Sequence, residues 1–299
     1  MSSKYLIILV NYVNWQDTFE CIESLKNCGI NDSHILVIDN HSPNDSFNKL
    51  NEAFPSINIF QMEKNLGFTG ANNFGIKYAA DNMFDFAVLL NNDTVVESPD
   101  SIQILIDEMT KHTDATLGTG RIFYFSDKNK IWYDGGKIIK WRGMAVHLNY
   151  GKKKSNVDLS NKLKNVDFIS GCFMCIRLRD IFKLGFLHED FFMYLDDVEF
   201  CSRALKKSLK LLYIPESVIY HKAKGEEERT HKRIYYSIRN RKLLINLHFG
   251  IISKFYFSIV LLIKRSVWFF TNKQHYKLLS YAMRDYNNKY FGQAQEYIK

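Results

Sequence analysis

Phe86-Ala87-Val88-Leu89-Leu90-Asn91-Asn92-Asp93-Thr94 is an apolar run that stops abruptly at three polar residues. Such a run suits a strand of a parallel sheet covered on both faces. Open α/β sheets bind ligands beyond the carboxyl ends of their strands, so Asn91, Asn92 and Asp93 stand where a ligand site belongs. An acid there can hold a metal against a phosphate. Asn and Asp also form turns readily, so an Asx turn ahead of a helix at Pro99 is an equal reading of the same residues.

The alternation of strand and helix continues on both sides of this run. Apolar segments over residues 5–10, 35–38 and 57–62 alternate with helical patterns over 15–27 and about 70–80, which predicts an α/β chain with a parallel, doubly wound central sheet. A helix over 99–111 follows, with Ser98 as its N-cap and Pro99 in its first turn. From 117 to 166 the pattern loosens into short strands, with a Trp132-Tyr133-Asp134-Gly135-Gly136 cluster and a basic surface loop over 152–164. Order returns over 166–176, followed by a short helix near Asp180, the acidic segment 191–203, and strands over 211–214 and 218–220.

With 299 residues and 46% hydrophobic composition the chain can bury a full core, as one large domain or one domain with an appendage. The formal charge of +8 is unevenly placed: residues 221–299 hold 16 Lys/Arg against 5 Asp/Glu. A local basic excess serves nucleic acid or an anionic membrane surface, and the sign alone does not choose. Five scattered cysteines make a poor disulfide framework and fit a reducing cytosol. Cys172 and Cys175 form a C-x-x-C with no second pair to complete a zinc site, so they read as core residues. Lys4 and the short apolar run after it read as a first strand, not a signal peptide.

Residues 231–270 are rich in aromatic, aliphatic and basic side chains, yet the longest uncharged apolar run, 255–263, has nine residues. A spanning helix needs about 20, so an interfacial helix fits, as does a helix hairpin packed on the core.

Several polar groups stand at predicted strand ends: Asn11, Asp39, the loop Asn65-Leu66-Gly67-Phe68-Thr69-Gly70, and Asn91 to Asp93. Asp39 is placed to accept hydrogen bonds from a ribose or base, or else to cap a helix or turn. The glycine loop matches neither a P-loop nor a dinucleotide fingerprint, which argues against an ATPase or a dehydrogenase. Glu199 and Arg203 are four apart and can pair on a helix. Asp196 and Asp197 have no such partner; adjacent acids favour a helix start, and an acid beside an aromatic wall is also how a general base is tuned. His221 is either a packed histidine or a metal ligand.

Together these segments resemble the family 2 inverting glycosyltransferases of the GT-A fold, most closely a rhamnosyltransferase-like bacterial branch that builds O-antigen and capsule. The resemblance is carried by V-N-Y at 10–12, V-I-D-N at 37–40, N-L-G-F-T-G-A-N-N-F-G-I at 65–76, L-L-N-N-D-T at 89–94, S-G-C-F-M at 170–174, F-F-M-Y-L-D-D-V-E-F-C-S-R-A at 191–204 and Y-H at 220–221. It implies a Rossmann-like, mostly parallel sheet flanked by helices as a catalytic domain over 1–225, with a basic, aromatic helical extension over 226–299.

The resemblance also implies roles. Asn11, Asp39, Asn65, Gly67, Asn91, Asn92 and Asp93 would form the nucleotide-sugar site, with Asn11 and Asn65 lining the pocket beside Asp39. Asp93 and His221 would hold a divalent cation, Mn²⁺ or Mg²⁺; this chain carries Asn91 where the family's D-x-D has its first acid. Asp197 would be the catalytic base, and Asp196 would bind or orient the acceptor. The expected partners are a nucleotide-sugar donor such as dTDP-L-rhamnose and a lipid-linked glycan acceptor. The expected location is the cytoplasm, peripheral on the inner face of the cell membrane, with no nucleic acid bound. A UDP-hexose or UDP-galactofuranose transferase of the same fold is an alternative; a non-catalytic scaffold or a nucleic-acid-binding protein are others.

Overall fold

The computed structural model describes residues 3–223 and 231–294. Strands β1 (Tyr5–Asn11), β2 (Ile35–Asp39), β3 (Asn58–Gln61) and β4 (Phe86–Asn91) alternate with α1 (Trp15–Asn27), α2 (Ser46–Ala53) and α3 (Gly67–Asp81). The four strands run parallel in the order β3-β2-β1-β4. Ile7, Ile8 and Leu9 of β1 are fully buried. Successive side chains of a strand point to opposite faces, so both faces of the sheet are covered and the run has no polar alternation.

The second half is mixed. It comprises β5 (Thr94–Val95), α4 (Asp100–Lys111), β6 (Ala115–Tyr124), β7 (Ile131–Tyr133), a separate hairpin of β8 (Gly136–Ile139) and β9 (Met144–His147), β10 (Lys164–Asn165), β11 (Phe173–Arg177), α5 (Ile181–Leu184), α6 (Asp196–Lys206) and β12 (Lys210–His221). The sheet continues from β4 through β11, β6 and β12 to β10, with β7 on β6 and β5 on β12. β11 is antiparallel to both β4 and β6, whereas β12 is parallel to β6. β6 and β12 therefore run in the same direction as β1 to β4, as a mostly parallel sheet requires, and the reversed strands are β5, β7, β10 and β11; a buried apolar run does not encode direction, which the connections decide.

Four local expectations are corrected. Where short strands were predicted, β6 runs for ten residues, all buried; Thr116, Thr119, Arg121 and two glycines dilute its apolar signal. Gly120 is required there, because a Cβ would lie 2.1 Å from the Ser217 carbonyl oxygen of β12. The two strands predicted over 211–220 are one, with its pairing slipping between Tyr213 and Val218. α3 starts at Gly67 rather than Gly70, and Pro99 rather than Ser98 takes the N-cap position of α4. Cys172 and Cys175 are free and buried, and burial pushes both thiols up.

Among the described residues three further helices follow: α7 (His231–His248), α8 (Ile251–Thr271) and α9 (Lys273–Asn287). The boundary expected at 225/226 lies outside the described residues. α7 is joined to the preceding fold by fully buried polar groups. Arg239 donates from its guanidinium to the carbonyls of Asp190, Phe191 and Gly292, and the Asn240 amide lies within 2.9 Å of the carbonyls of Phe191, Met193 and Tyr194. Together they hold the segment that leads into α6. No described helix is long and apolar enough to cross a membrane.

Candidate active site

The carboxyl ends of β1 and β4 open onto a cleft of about 590 Å³. Asn65, Gly67, Asn91, Asn92 and Asp93 line it, as do Tyr12, Asn40 and Phe68. The loop between β3 and α3 is shaped by side-chain amides. Asn65 Oδ1 accepts the Gly67 N–H at 2.8 Å, and Asn40 donates to Asn65 Oδ1 and the Gly67 carbonyl while accepting the Leu66 N–H. Gly67 has φ +72°, and a Cβ there would lie 2.4 Å from the Phe192 carbonyl oxygen. Only glycine allows both that conformation and that approach.

Asn11 and Asp39, expected to line the nucleotide pocket, are fully buried behind it. The Asp39 carboxylate accepts the Ser42 N–H and hydroxyl, and the Asn11 amide at 2.7 Å. Asn11 in turn accepts the Thr18 hydroxyl, which accepts the Asn92 amide at 2.9 Å. The two residues thus tie the ends of β1 and β2 to the polar stretch after β4. Their hydrogen bonds are made within the protein, which is why neither reaches the cleft surface.

The predicted pairing of Asp93 with His221 is present as a contact: His221 Nε2 lies 3.1 Å from Asp93 Oδ1. β5 explains it. Thr94 is in register with His221 in the antiparallel β5–β12 pair, and the Lys222 N–H donates to the Asp93 carbonyl. Burial raises the Asp93 carboxyl, but the hydrogen bond and charge of His221, with the Lys222 charge, outweigh it and hold the group below its ordinary value. Trp132 packs edge-on against the His221 ring at 4.6 Å between centroids. Its cluster stood out in the sequence, but nothing there linked it to residue 221.

Asp93 is the more open partner, while His221 is buried with its Nδ1 unbonded. Among the described residues no group of three or more His, Cys, Asp or Glu is arranged so that it could hold a metal ion. Asp93 and His221 offer one carboxylate and one imidazole, 3.1 Å apart. That set fits a Mg²⁺- or Mn²⁺-like ion, which ordinarily completes its shell with substrate phosphate oxygens and water.

Asp196 and Asp197 open α6 after a strained entry, since Phe192, Tyr194 and Leu195 all have positive φ. Non-glycine residues rarely adopt that conformation, and strain of this kind persists only where surrounding contacts enforce it; here Arg239 and Asn240 supply them. Asp197 accepts the Gly171 N–H at 3.1 Å and the Val198 N–H at 2.8 Å. Burial dominates over these bonds and pushes its carboxyl up to about 6. Asp196 is deeper, and burial followed by repulsion from Asp197 raises it well above the ordinary range. Gly171 separates Asp197 from the cleft residue Phe68: a Cβ at Gly171 would lie 3.2 Å from the Phe68 ring and 3.6 Å from Asp197 Cβ. Glu199 is absorbed by structure, as its spacing predicted, bonding Arg203 and also His248 of α7.

Sequence reasoning missed the far wall of the cleft. Phe192, Met193, Lys232, Tyr236, Gln293 and Ala294 line it, with the Phe192 and Tyr236 rings stacked 5.6 Å apart and the Ala294 N–H donated to the Tyr236 hydroxyl. Phe192 and Met193 stand in the aromatic stretch before the acidic pair, and Lys232 and Tyr236 in the basic, aromatic segment 231–270, but nothing in either joined them into one wall.

The model of the family described as Glycosyl transferase family 2 matches residues 6–186. The low-salt glycan biosynthesis hexosyltransferase Agl10 of Haloferax volcanii is 26% identical over 248 residues, 82% of this chain and 76% of that protein. The rhamnosyltransferase WbbL of Escherichia coli K12 is 24% identical over 204 residues, 62% of this chain and 75% of that protein. Among solved structures, GalNAc-T7 with UDP, GalNAc and Mn²⁺ superposes with a TM-score of 0.65 at 13% identity, covering 95% of this chain and 54%, about half, of the other. The mannosyltransferase PcManGT of Pyrobaculum calidifontis, in complex with GDP-Man and Mn²⁺, gives a TM-score of 0.58 at 10% identity, covering 96% of this chain and 76% of its own.

Proposed function

The chain belongs to glycosyl transferase family 2 and has the GT-A fold with added C-terminal helices, and from that premise we propose that it transfers a hexose, with inversion, from a nucleoside diphosphate sugar to a lipid-linked glycan at a membrane surface. The observation that carries the reading is the meeting of Asp93 and His221 at the rim of a polar cleft, with another carboxylate, the partly exposed Asp197 whose pKa burial raises, across Gly171 from the cleft residue Phe68. The names of Agl10 and WbbL, one a hexosyltransferase of glycan biosynthesis and one a rhamnosyltransferase, support the donor and acceptor classes. dTDP-L-rhamnose is our preferred donor and O-antigen or capsule our preferred product; a UDP-hexose fits the same polar groups.

In this reading the nucleotide lies over the ends of β1 and β2, against Tyr12, Asn40 and Asn65. Asn11 and Asp39 act behind them by fixing the loop. Asp93 and His221 would hold a divalent cation, which would supply positive charge to the departing diphosphate. Asn91 offers hydrogen bonding where an acid would add charge.

Asp197 takes the proton from the acceptor hydroxyl as that oxygen bonds to the anomeric carbon from the face opposite the diphosphate. The bond from the anomeric carbon to the diphosphate oxygen breaks as the new one forms, and its electron pair leaves with the nucleoside diphosphate. A single displacement inverts the configuration and needs no covalent nucleophile. Two backbone N–H groups orient the Asp197 carboxylate, while burial keeps it basic enough to accept a proton near neutral pH. Asp196 orients the acceptor or the base.

The test is Asp197→Asn. Transfer is expected to fall to background while the donor still binds, as read by a nucleotide-sugar thermal shift with Mn²⁺ present. Retained turnover would remove Asp197 from the role of base.

A further inference from the structure

The second of the three C-terminal helices, α8, is two-sided in an unusual sense. Ser253 and Phe257 turn inward: the Ser253 hydroxyl donates to the Lys140 carbonyl, and Phe257 is buried beneath the Arg241 guanidinium, 4.9 Å from its ring. On the opposite side Ile251, Ile252, Phe255, Leu262, Ile263 and Phe270 are each more than half exposed, Phe270 at 84%. At 3.6 residues per turn these six occupy an arc of about 120°, interrupted only by the hydroxyl of Ser266. A soluble helix ordinarily shows charge on its outer face. This one shows its most apolar surface to the outside, and patches of that kind mark interaction sites.

The surroundings decide what covers it. Lys254 and Arg265 border the stripe on one margin. On the other lie Tyr256 and the half-exposed Trp141, whose rings meet at 4.9 Å, with Lys140 and Arg142 beside them. Residues 251–287 contain six Lys/Arg and a single acid, Asp285, which is buried and accepts the Tyr235 hydroxyl. The exposed part of the hairpin therefore carries no negative charge. A second copy seated here would press one basic rim against another. An apolar stripe with a cationic margin and a Trp/Tyr margin instead matches the layers of a bilayer surface: acyl chains, anionic headgroups, and the boundary where aromatic rings settle.

We propose that α8 is a monotopic docking surface that lies in the plane of an anionic bilayer, its apolar stripe at the acyl boundary and its Lys/Arg margin among the headgroups. The inference deepens the membrane-surface reading above and rests on it, because a lipid-linked acceptor requires the enzyme at a bilayer. α7, which contributes Tyr236 to the cleft, packs on α9, and α9 packs on α8, so docking would hold the cleft beside the headgroup layer.

The experiment is co-sedimentation of the full chain with vesicles of phosphatidylcholine alone and of phosphatidylcholine mixed with phosphatidylglycerol, alongside sedimentation velocity without lipid. The chain is expected to bind the anionic vesicles, and more weakly as salt is raised. The double variant Phe255→Glu/Leu262→Glu should bind at least ~10-fold more weakly, with its melting temperature and its transfer to a water-soluble acceptor analogue unchanged. Lys254→Ala/Arg265→Ala should weaken anionic binding without introducing a charge on the stripe. Failure of the unaltered chain to bind vesicles would overturn the proposal, as would equal binding by the glutamate variant or a lipid-free dimer that the variant abolishes. Vesicle binding by a chain with no transfer to any nucleotide-sugar acceptor pair would leave the docking surface standing and remove the transferase reading instead.

Discussion

His221 Nε2 lies 3.1 Å from Asp93 Oδ1, although 128 residues separate them in the chain. The short pair of β5 with the end of β12 makes the contact, and Trp132 backs the imidazole. If the pair holds a divalent ion, His221→Ala should raise the Mn²⁺ concentration needed for half-maximal transfer by at least the roughly 10–100-fold that loss of a supporting group costs a metal site. A metal titration of activity measures it, and an unchanged midpoint would take His221 out of the site.

The carboxyl of Asp197 is pushed up to about 6. A general base works deprotonated, so kcat/KM should climb as pH is raised through about 6 and fall away tenfold per pH unit well below it. A pH–rate profile at fixed metal concentration shows this. A profile flat through about pH 6 would place the proton transfer elsewhere.

Asp196 and Asp197 both bind a proton more tightly in the folded chain than in the unfolded one. Over the window from the ordinary carboxyl range up to their raised values, the native state holds more protons than the unfolded state, so stability falls as pH rises. Asp196→Asn removes a buried acid whose ionisation burial and Asp197 oppose. It should raise the melting temperature at pH 8 by about 2–4 °C, the shift that ~1 kcal/mol produces, and change it less at pH 5. An equal shift at both pH values would mean that the titration of Asp196 is not the cost.

Gly67→Ala places a methyl group 2.4 Å from the Phe192 carbonyl oxygen, in a residue with φ +72°. The left-handed conformation alone costs ~1–2 kcal/mol for a residue with a Cβ. Because the glycine lies on the cleft, a rise in the KM for the donor should accompany the loss of thermal stability. Thermal melting and donor kinetics read the two effects separately.

Asn240→Ala removes the amide that spans three carbonyls of the segment before Asp196. Leaving buried carbonyls unpaired costs ~1–3 kcal/mol per group. The segment carries three residues of positive φ, so it should relax and move Asp197. The expected readout is a kcat reduced by at least ~10-fold, as small misplacements of catalytic groups cost, with the donor KM little changed.

Several features of the fold were legible because they rest on local chemistry. The apolar segments at β1, β2 and β4, each stopping at a polar group, follow from burial on both faces and a ligand edge beyond. Glu199 and Arg203 follow from helical spacing, and the buried state of Cys172 and Cys175 from an apolar context. β6 was read as fragments because its glycines and threonines answer to close neighbours rather than to period. The direction of β11 was hidden for a related reason: its composition is the same whichever way it runs.

By itself, the sequence determined the α/β alternation, the polar strand ends and the acidic pair at the start of α6, since each depends on residues within one turn or one strand of one another. Only the tertiary structure decided that Asp39 and Asn11 stand behind the cleft instead of on it, and that α7 and the segment after α9 complete its far wall. It alone also shows α8 turning its apolar side outward. Those outcomes depend on which groups satisfy one another's hydrogen bonds and cover one another's apolar surface across separations of tens to hundreds of residues, and no local pattern of residue types records such partners.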